Sequence, residues 1–512
     1  MPKTVSRTLV VLLIAISAPS LIGQYVYGAG SAGGSGVVPA IASPQAYLGN
    51  ANFGISISDG APGAGAYLAT ALLPSVGNFV GVPLNVDINN LFSLTFLTLD
   101  AQGKVFLPAP LSAFTNPALA GFNFYAQAFV LDPSAPGGVA ASRGLRGEFT
   151  LPPLVFVGSR TGFAGSQFFV DPSIPAISNT VSGVNTNVDG AAFTSEGKSL
   201  FVVSSLTRTI NYADLSGVTP VWSTIHAFGP GQFLTGIALD EENDLVWTVD
   251  MISQSSSTIV ALDADPSSAT FGNVLHTFPA PSAGFVGRWR MNGQHLAAIT
   301  HVFTQVVDLM DLNPTSPTFG QIVLSTSYPA GPTIFAAGAT DVAFTRDDHQ
   351  MLVAIQRSGG VPAEVARYSF AQGAWIDHDP STPAVDDLGP FSNPPLAFGP
   401  NPFTLAFPRY ADSDWFLISG FGGAGGGWAG RVDFDQTAPG AWSFTPATGS
   451  NLNQAWFSGV DPGGTTVAVA TLQNHVGVLK FFDAATMTWT GSVLLPGSGG
   501  VSGSNLGDVV WR

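Results

Sequence analysis

The sequence predicts an all-β fold, a seven-bladed β-propeller preceded by a β-sandwich. Three observations carry this expectation. Residues 265–272 (DPSSATFG) and 313–320 (NPTSPTFG) stand 48 residues apart, and such a recurrence marks a structural repeat. The composition, with 60 Gly, 38 Pro and 37 Phe against 10% charged residues, favours short strands joined by tight turns over solvated helices. Residues 506–512 read as a first strand with no second strand after it, and 154–158 read as a second strand with no first strand before it. Pairing the two would close a ring and remove an exposed sheet edge.

The chain opens with Lys3, Arg7 and the apolar run 9–16, followed by small, turn-prone residues, which is the pattern of a secretory signal peptide over 1–23. The run is about half of the roughly 20 residues a membrane span needs, so no membrane span is expected after cleavage. The predicted compartment is extracytoplasmic, either secreted or in the cell envelope. There is no Cys, so disulfides, thiol catalysis and Cys-ligated zinc are all excluded, and packing alone must hold the fold. A net charge of −16 with only 17 Lys and Arg argues against nucleic acid, whose phosphates require clustered cations.

Residues 24–44, rich in Gly, Ala, Ser and Val without a period, read as a flexible lead-in. From 45 to 150, apolar alternation at 53–58, 66–73, 83–88, 91–99, 105–107 and 122–131 predicts a β-sandwich domain, with turn signals such as Asp59-Gly60 and Asp132-Pro133 between the runs. The stretches 49–53 and 127–133 resemble a small domain that precedes repeats in secreted bacterial proteins. After a linker at 151–153, residues 154–512 carry the propeller, closed by the strand 506–512.

Within the propeller, 190–202 (GAAFTSEGKSLFV) is a hairpin with its turn residues written out, and related hairpins follow at 236–249, 287–299, 341–355, 404–418 and 456–469. Third strands end in Asp at 171, 214, 263, 311, 435 and 483, and fourth strands follow them; residues 377–402 read as an insert in the fifth unit. Four short strands per repeat is the arithmetic of a propeller blade. The hairpins resemble the bacterial YVTN and NHL-type propellers, a look shared with lactonase-like propellers, over roughly 154–512. The sequence departs from that pattern at Phe201-Val202-Val203-Ser204, where the family has Tyr-Val-Thr/Ala-Asn, and in the Gly-rich sixth blade. The resemblance implies a fold; no catalytic residue of those families transfers to a position in this chain.

Three features carry potential chemistry. Asp240, Glu242 and Asp244 supply oxygen ligands of the kind that hold calcium, but they fall in the turn between first and second strands, as do 347–349 and 412–414, so solvated turns are the preferred reading. Arg288 and Arg290 share a face of one innermost strand and would present two cations near the axis. An ion pair between blades is the preferred reading of these arginines, ahead of an anion site. Trp222, Trp375, Trp442 and Trp489 begin fourth strands and are expected to wedge between blades rather than stack on sugars. The seven His show no zinc spacing. The innermost strands start mostly on apolar or neutral residues, with Asp189 and Asp341 the acidic exceptions.

Together these predict a monomeric, non-enzymatic binding or scaffold protein without a cofactor, recognising an extracellular or envelope protein or a glycan through the propeller surface. The alternative is a lactonase-like hydrolase or lyase at the axis, with Asp189, Asp341, Arg288 and Arg290 as its catalytic candidates.

Overall fold

The 48-residue recurrence turns out to be the link between a third and a fourth strand. In the computed structural model it joins Ser256–Asp263 to Val274–Pro279 and Val306–Asp311 to Ile322–Ser327. Asp263 accepts hydrogen bonds from the Asp265 amide (2.9 Å) and Thr270 Oγ1 (2.5 Å), and Asp311 accepts them from the Asn313 amide (2.9 Å) and Thr318 Oγ1 (2.6 Å). Gly272 and Gly320 close the links at φ +78° and +75°, a conformation that costs glycine little. The repeated Phe fills the gap to the preceding sheet: Phe271 lies 5.2 Å from the Tyr212 ring and Phe319 4.9 Å from those of His276 and Phe278. Asp214 and Asp483 make the same kind of cap, on Ser216 and Thr486.

The structure describes residues 25–512 apart from connecting segments, the longest being 160–166, 329–337, 357–363, 377–400, 407–414, 435–441 and 496–505. The signal-peptide reading of 1–23, Asp435 and nearly all of the insert at 377–402 lie outside the described residues.

Among the described residues, seven four-stranded antiparallel sheets succeed one another along the chain. The first holds both ends of the region: Ala176–Val181, Gln167–Asp171 and Val155–Ser159 are completed by Leu506–Trp511, with Val155 opposite Trp511 and Val157 opposite Val509. The innermost strands of the second to seventh sheets are Val188–Phe193, Phe233–Asp240, Val286–Met291, Gly338–Phe344, Asn401–Ala406 and Asn453–Val460. Each packs against the next, and Leu506–Trp511 packs against both Val188–Phe193 and Asn453–Val460, so the cycle is closed. An apolar cluster lies between every neighbouring pair of sheets. This is a β-propeller, whose radial packing buries both faces of each blade.

The part before it contains two sheets sharing one apolar cluster, in which Ile41, Ile55 and Ile57 of a three-stranded sheet meet Ala66, Leu68, Ala128 and Val130 of a six-stranded one. The expected lead-in at 24–44 is corrected here. Tyr25–Tyr27 pairs with Gly144–Glu148, and Ala40–Ala42 pairs with Gly54–Ser58. Long-range contacts order this Gly-rich stretch: the Tyr27 hydroxyl donates to the Asn85 carbonyl, and Asn85 Nδ2 donates to the Ala29 carbonyl at 2.8 Å. The junction at 151–153 is also tied down, since Leu151 is buried with Leu48 and Ala120, and Arg512 donates to the Pro152 carbonyl at 3.0 and 2.7 Å. Among the described residues no helix is long and apolar enough to cross a membrane.

Candidate functional site

In all seven sheets the register between the first and second strand shifts by a bulge. A bulge re-aims side chains, and here the shifts fall at Val188/Gly190, Val286/Trp289 and Ala339/Asp341, which bracket or include Asp189, Arg288 and Asp341. Thr300 pins the Arg288 bulge, donating from Oγ1 to the Arg288 carbonyl (2.8 Å) and accepting from its amide (2.9 Å). Thr248 does the equivalent in the third sheet, donating to the Gly236 carbonyl at 2.9 Å. Room for the bulges is tight, because a Cβ on Gly190 would lie 2.9 Å from the Gly236 carbonyl carbon.

The bulges bring the four sequence candidates together at the axis. Arg288, in the fourth sheet, donates from Nη1 to the Asp189 carbonyl in the second sheet at 3.2 Å and lies 3.8 Å from the Asp189 carboxylate. Its guanidinium carbon also stands 5.3 Å over the Phe457 ring in the seventh sheet. One cation thus spans non-adjacent blades. Arg290 lies 3.7 Å from Asp341 in the fifth sheet, and Asp341 in turn accepts the Leu405 amide of the sixth sheet at 2.9 Å and the Val342 amide at 3.0 Å. Burial pushes the Asp341 carboxyl above the usual carboxylate range, opposed by Arg290, Arg288 and the two amides. Trp289, between the two arginines, faces the third sheet and donates from Nε1 to the Thr235 carbonyl at 3.0 Å. Both arginines are therefore matched to carboxylates of other blades, which is the ion-pair arrangement.

The calcium candidates are arranged differently from a ligand set. Asp240 and Glu242 face His295 of the next sheet, at 3.2 and 3.3 Å, and Asn243 binds back to Asp240 with its amide and Nδ2. The His295 pKa is raised above its ordinary value, first by the Asp240 carboxylate beside it. Asp244 holds the turn at φ +53°, and burial with Asp265, Asp263 and Asp240 nearby raises its carboxyl. Among the described residues no group of three His, Cys, Asp or Glu side chains is placed to hold a metal ion. Of the tryptophans, Trp222 packs on Phe156 and Phe169 of the preceding blade, and Trp375 donates to Thr326 Oγ1 of the preceding blade at 2.9 Å. Trp489 is exposed. The Trp442 side chain lies outside the described residues.

Sequence reasoning missed two further polar pairs. Arg208 binds Asp250 at 2.8 Å, where burial raises the Asp250 carboxyl despite the arginine, and buried His301 meets Asp308 at 2.8 Å. Arg208 sits in the turn before its strand and Asp250 and Asp308 inside theirs, at positions that carry no repeated signature.

No protein-family model matches the chain, and no curated protein sequence does. Similar solved structures include a candidate 6-phosphogluconolactonase from Bacteroides fragilis, at 13% identity and TM-score 0.48, covering 70% of this chain and 98% of that one. A Lactobacillus plantarum protein matches at 14% identity and TM-score 0.47, covering 70% of this chain and 99% of its own. The Dos1 propeller matches at 10% identity and TM-score 0.39, covering 60% and 71%. These likenesses concern the fold.

Proposed function

We propose that the protein is a non-enzymatic recognition module acting outside the cytoplasm, with the seven sheets as the blades of one ring and an extracellular or envelope protein or glycan as its partner. The observation that carries this reading is the double ion pair at the axis. Where a small-molecule enzyme needs open polar groups, Arg288 is engaged with Asp189 and Phe457, and Arg290 with Asp341. The surface is then the part left for recognition. No cofactor is needed in this reading, and elemental analysis of the purified chain checks it: one stoichiometric transition metal would overturn it.

A second reading, a lactonase-like hydrolase or lyase, has one observation in its favour. A buried carboxyl pushed toward its protonated form beside two arginines is the kind of group that serves as a general acid. The two readings separate in paired experiments on wild type and Asp341→Asn. Recognition predicts capture of a defined partner from the secreted or envelope fraction by both proteins, with no turnover of lactones or glycosides. Turnover by wild type that is lost in Asp341→Asn, without a captured partner, would establish the enzyme instead.

A further inference from the structure

The six-stranded sheet of the N-terminal part ends on Leu91–Thr98, whose only strand partner among the described residues is Gly65–Ala71. Its other edge therefore presents main-chain donors and acceptors for pairing. Natural edges are commonly blunted by charge or proline, and this strand (LFSLTFLT) has neither. Its one register shift lies near its start, between Leu91 and Ser93. Three of the four outward side chains are apolar: Phe92 is 78% exposed, Leu94 57% and Phe96 55%, with Ser93 and Thr95 half-buried between them and Thr98 the polar fourth. Tyr67 on the neighbouring strand extends the patch, its ring 5.2 Å from that of Phe96.

The sequence of this edge is self-complementary. Residues 92–96 read Phe-Ser-Leu-Thr-Phe, which is the same in both directions once Ser and Thr are taken as equivalents. An antiparallel pairing with a second copy sets each residue against its mirror position, so this near-palindrome places Phe against Phe and Leu against Leu. We propose that Leu91–Thr98 pairs antiparallel with the same strand of a second copy about an axis at Leu94, joining two six-stranded sheets into one. Leu94 then faces Leu94 of the second copy, and Phe92 faces Phe96. Cross-strand aromatic and aliphatic pairs of this kind stabilise sheets. The exposed side chains present on the order of 400 Å² per copy, and edge pairing covers their flanks together with the strand's main chain, in all on the order of the roughly 1,000 Å² lower limit or somewhat below it, the size of a concentration-dependent dimer. This replaces the monomer expected from sequence, and it is independent of what the propeller recognises.

Sedimentation of the full chain tests the proposal, with the absence of cysteine giving a clean background for cross-linking. Wild type is expected to sediment as a dimer. Leu94→Lys places two ammonium groups opposite each other and is expected to give a monomer with an unchanged melting temperature. Leu94→Cys is expected to form a disulfide-linked dimer on oxidation, because directly opposed residues lie about 4.5–5.5 Å apart between Cα atoms. Phe92→Cys is expected to stay unlinked, since its copies stand roughly 13 Å apart along the strands. A wild-type monomer at every concentration, an unlinked Leu94→Cys, or a Leu94→Lys dimer overturns the proposal. So does a monomer that binds phosphatidylcholine vesicles through this strand, which makes the patch lipid-facing.

Discussion

Arg288 reaches past the third blade to donate 3.2 Å to the Asp189 carbonyl of the second, while its guanidinium covers the Phe457 ring of the seventh. A single side chain thereby ties together three sheets that are not neighbours of one another, and its removal should be felt as lost stability. Arg288→Met keeps much of the volume but leaves the Asp189 carboxylate, 3.8 Å away, without this cation. The expected cost is about 1–3 kcal/mol in denaturant unfolding. Arg288→Met combined with Asp189→Asn should cost less than the sum of the single changes, because the second removes the charge the first strands.

The pair formed by His295 and Asp240 makes stability depend on pH near neutrality. The folded pKa of His295 is raised, first by Asp240 and further by Glu242, against a burial effect that lowers it. A raised histidine contributes stability that is fully present below its unfolded value near 6.5 and is lost as pH rises through the folded value. The melting temperature is therefore expected to fall between about pH 6 and about pH 8, and Asp240→Asn should flatten that fall. An unchanged slope in Asp240→Asn would assign the pH dependence to other groups.

The all-β class and the four-strand rhythm were legible because they are local: alternation, turn residues and the recurring DPSSATFG pattern each sit within about ten residues. The axial arrangement was not. Arg288 and Asp189 are 99 positions apart, and the bulges that aim them leave no residue signature. Arginines two apart predicted a shared face, but which carboxylates they meet depends on the bulge at Arg288 and on ring closure. The lead-in failed for the same reason, since Tyr25–Tyr27 becomes a strand only by pairing with Gly144–Glu148 and packing on Tyr125. Composition saw glycine there and missed the distant partner.

The third-strand aspartates define the links, so one of them should be worth more than an ordinary surface acid. Asp311 accepts the Asn313 amide, Thr318 Oγ1 and Ser316 Oγ; burial raises its carboxyl, but these hydrogen bonds outweigh that and hold it below the usual range. Asp311→Ala should cost about 1–2 kcal/mol through the lost cap. Because a depressed carboxyl gives stability that is lost as pH falls through its folded value, the gap between wild type and Asp311→Ala should close in acid. Chemical unfolding at about pH 7 and about pH 3 measures both effects.

The closing strand offers the sharpest test of the ring. Leu506–Trp511 pairs with Val155–Ser159 and packs against the innermost strands on both sides, with Val509 3% and Trp511 9% exposed. Deleting 506–512 removes those two side chains from the cluster shared by the first and seventh sheets and bares the main-chain edge of Val155–Ser159. Burial of two large apolar side chains is worth roughly 4–6 kcal/mol, which for a region of this size lowers the melting temperature by about 5–8 °C. The freed edge should also promote aggregation on heating. Adding a synthetic peptide of the 506–512 sequence should restore part of the lost stability, since it can re-form the antiparallel pairing in trans. A truncated chain that melts where the full chain does would mean that the strand contributes no closure, whatever its place in the sheet.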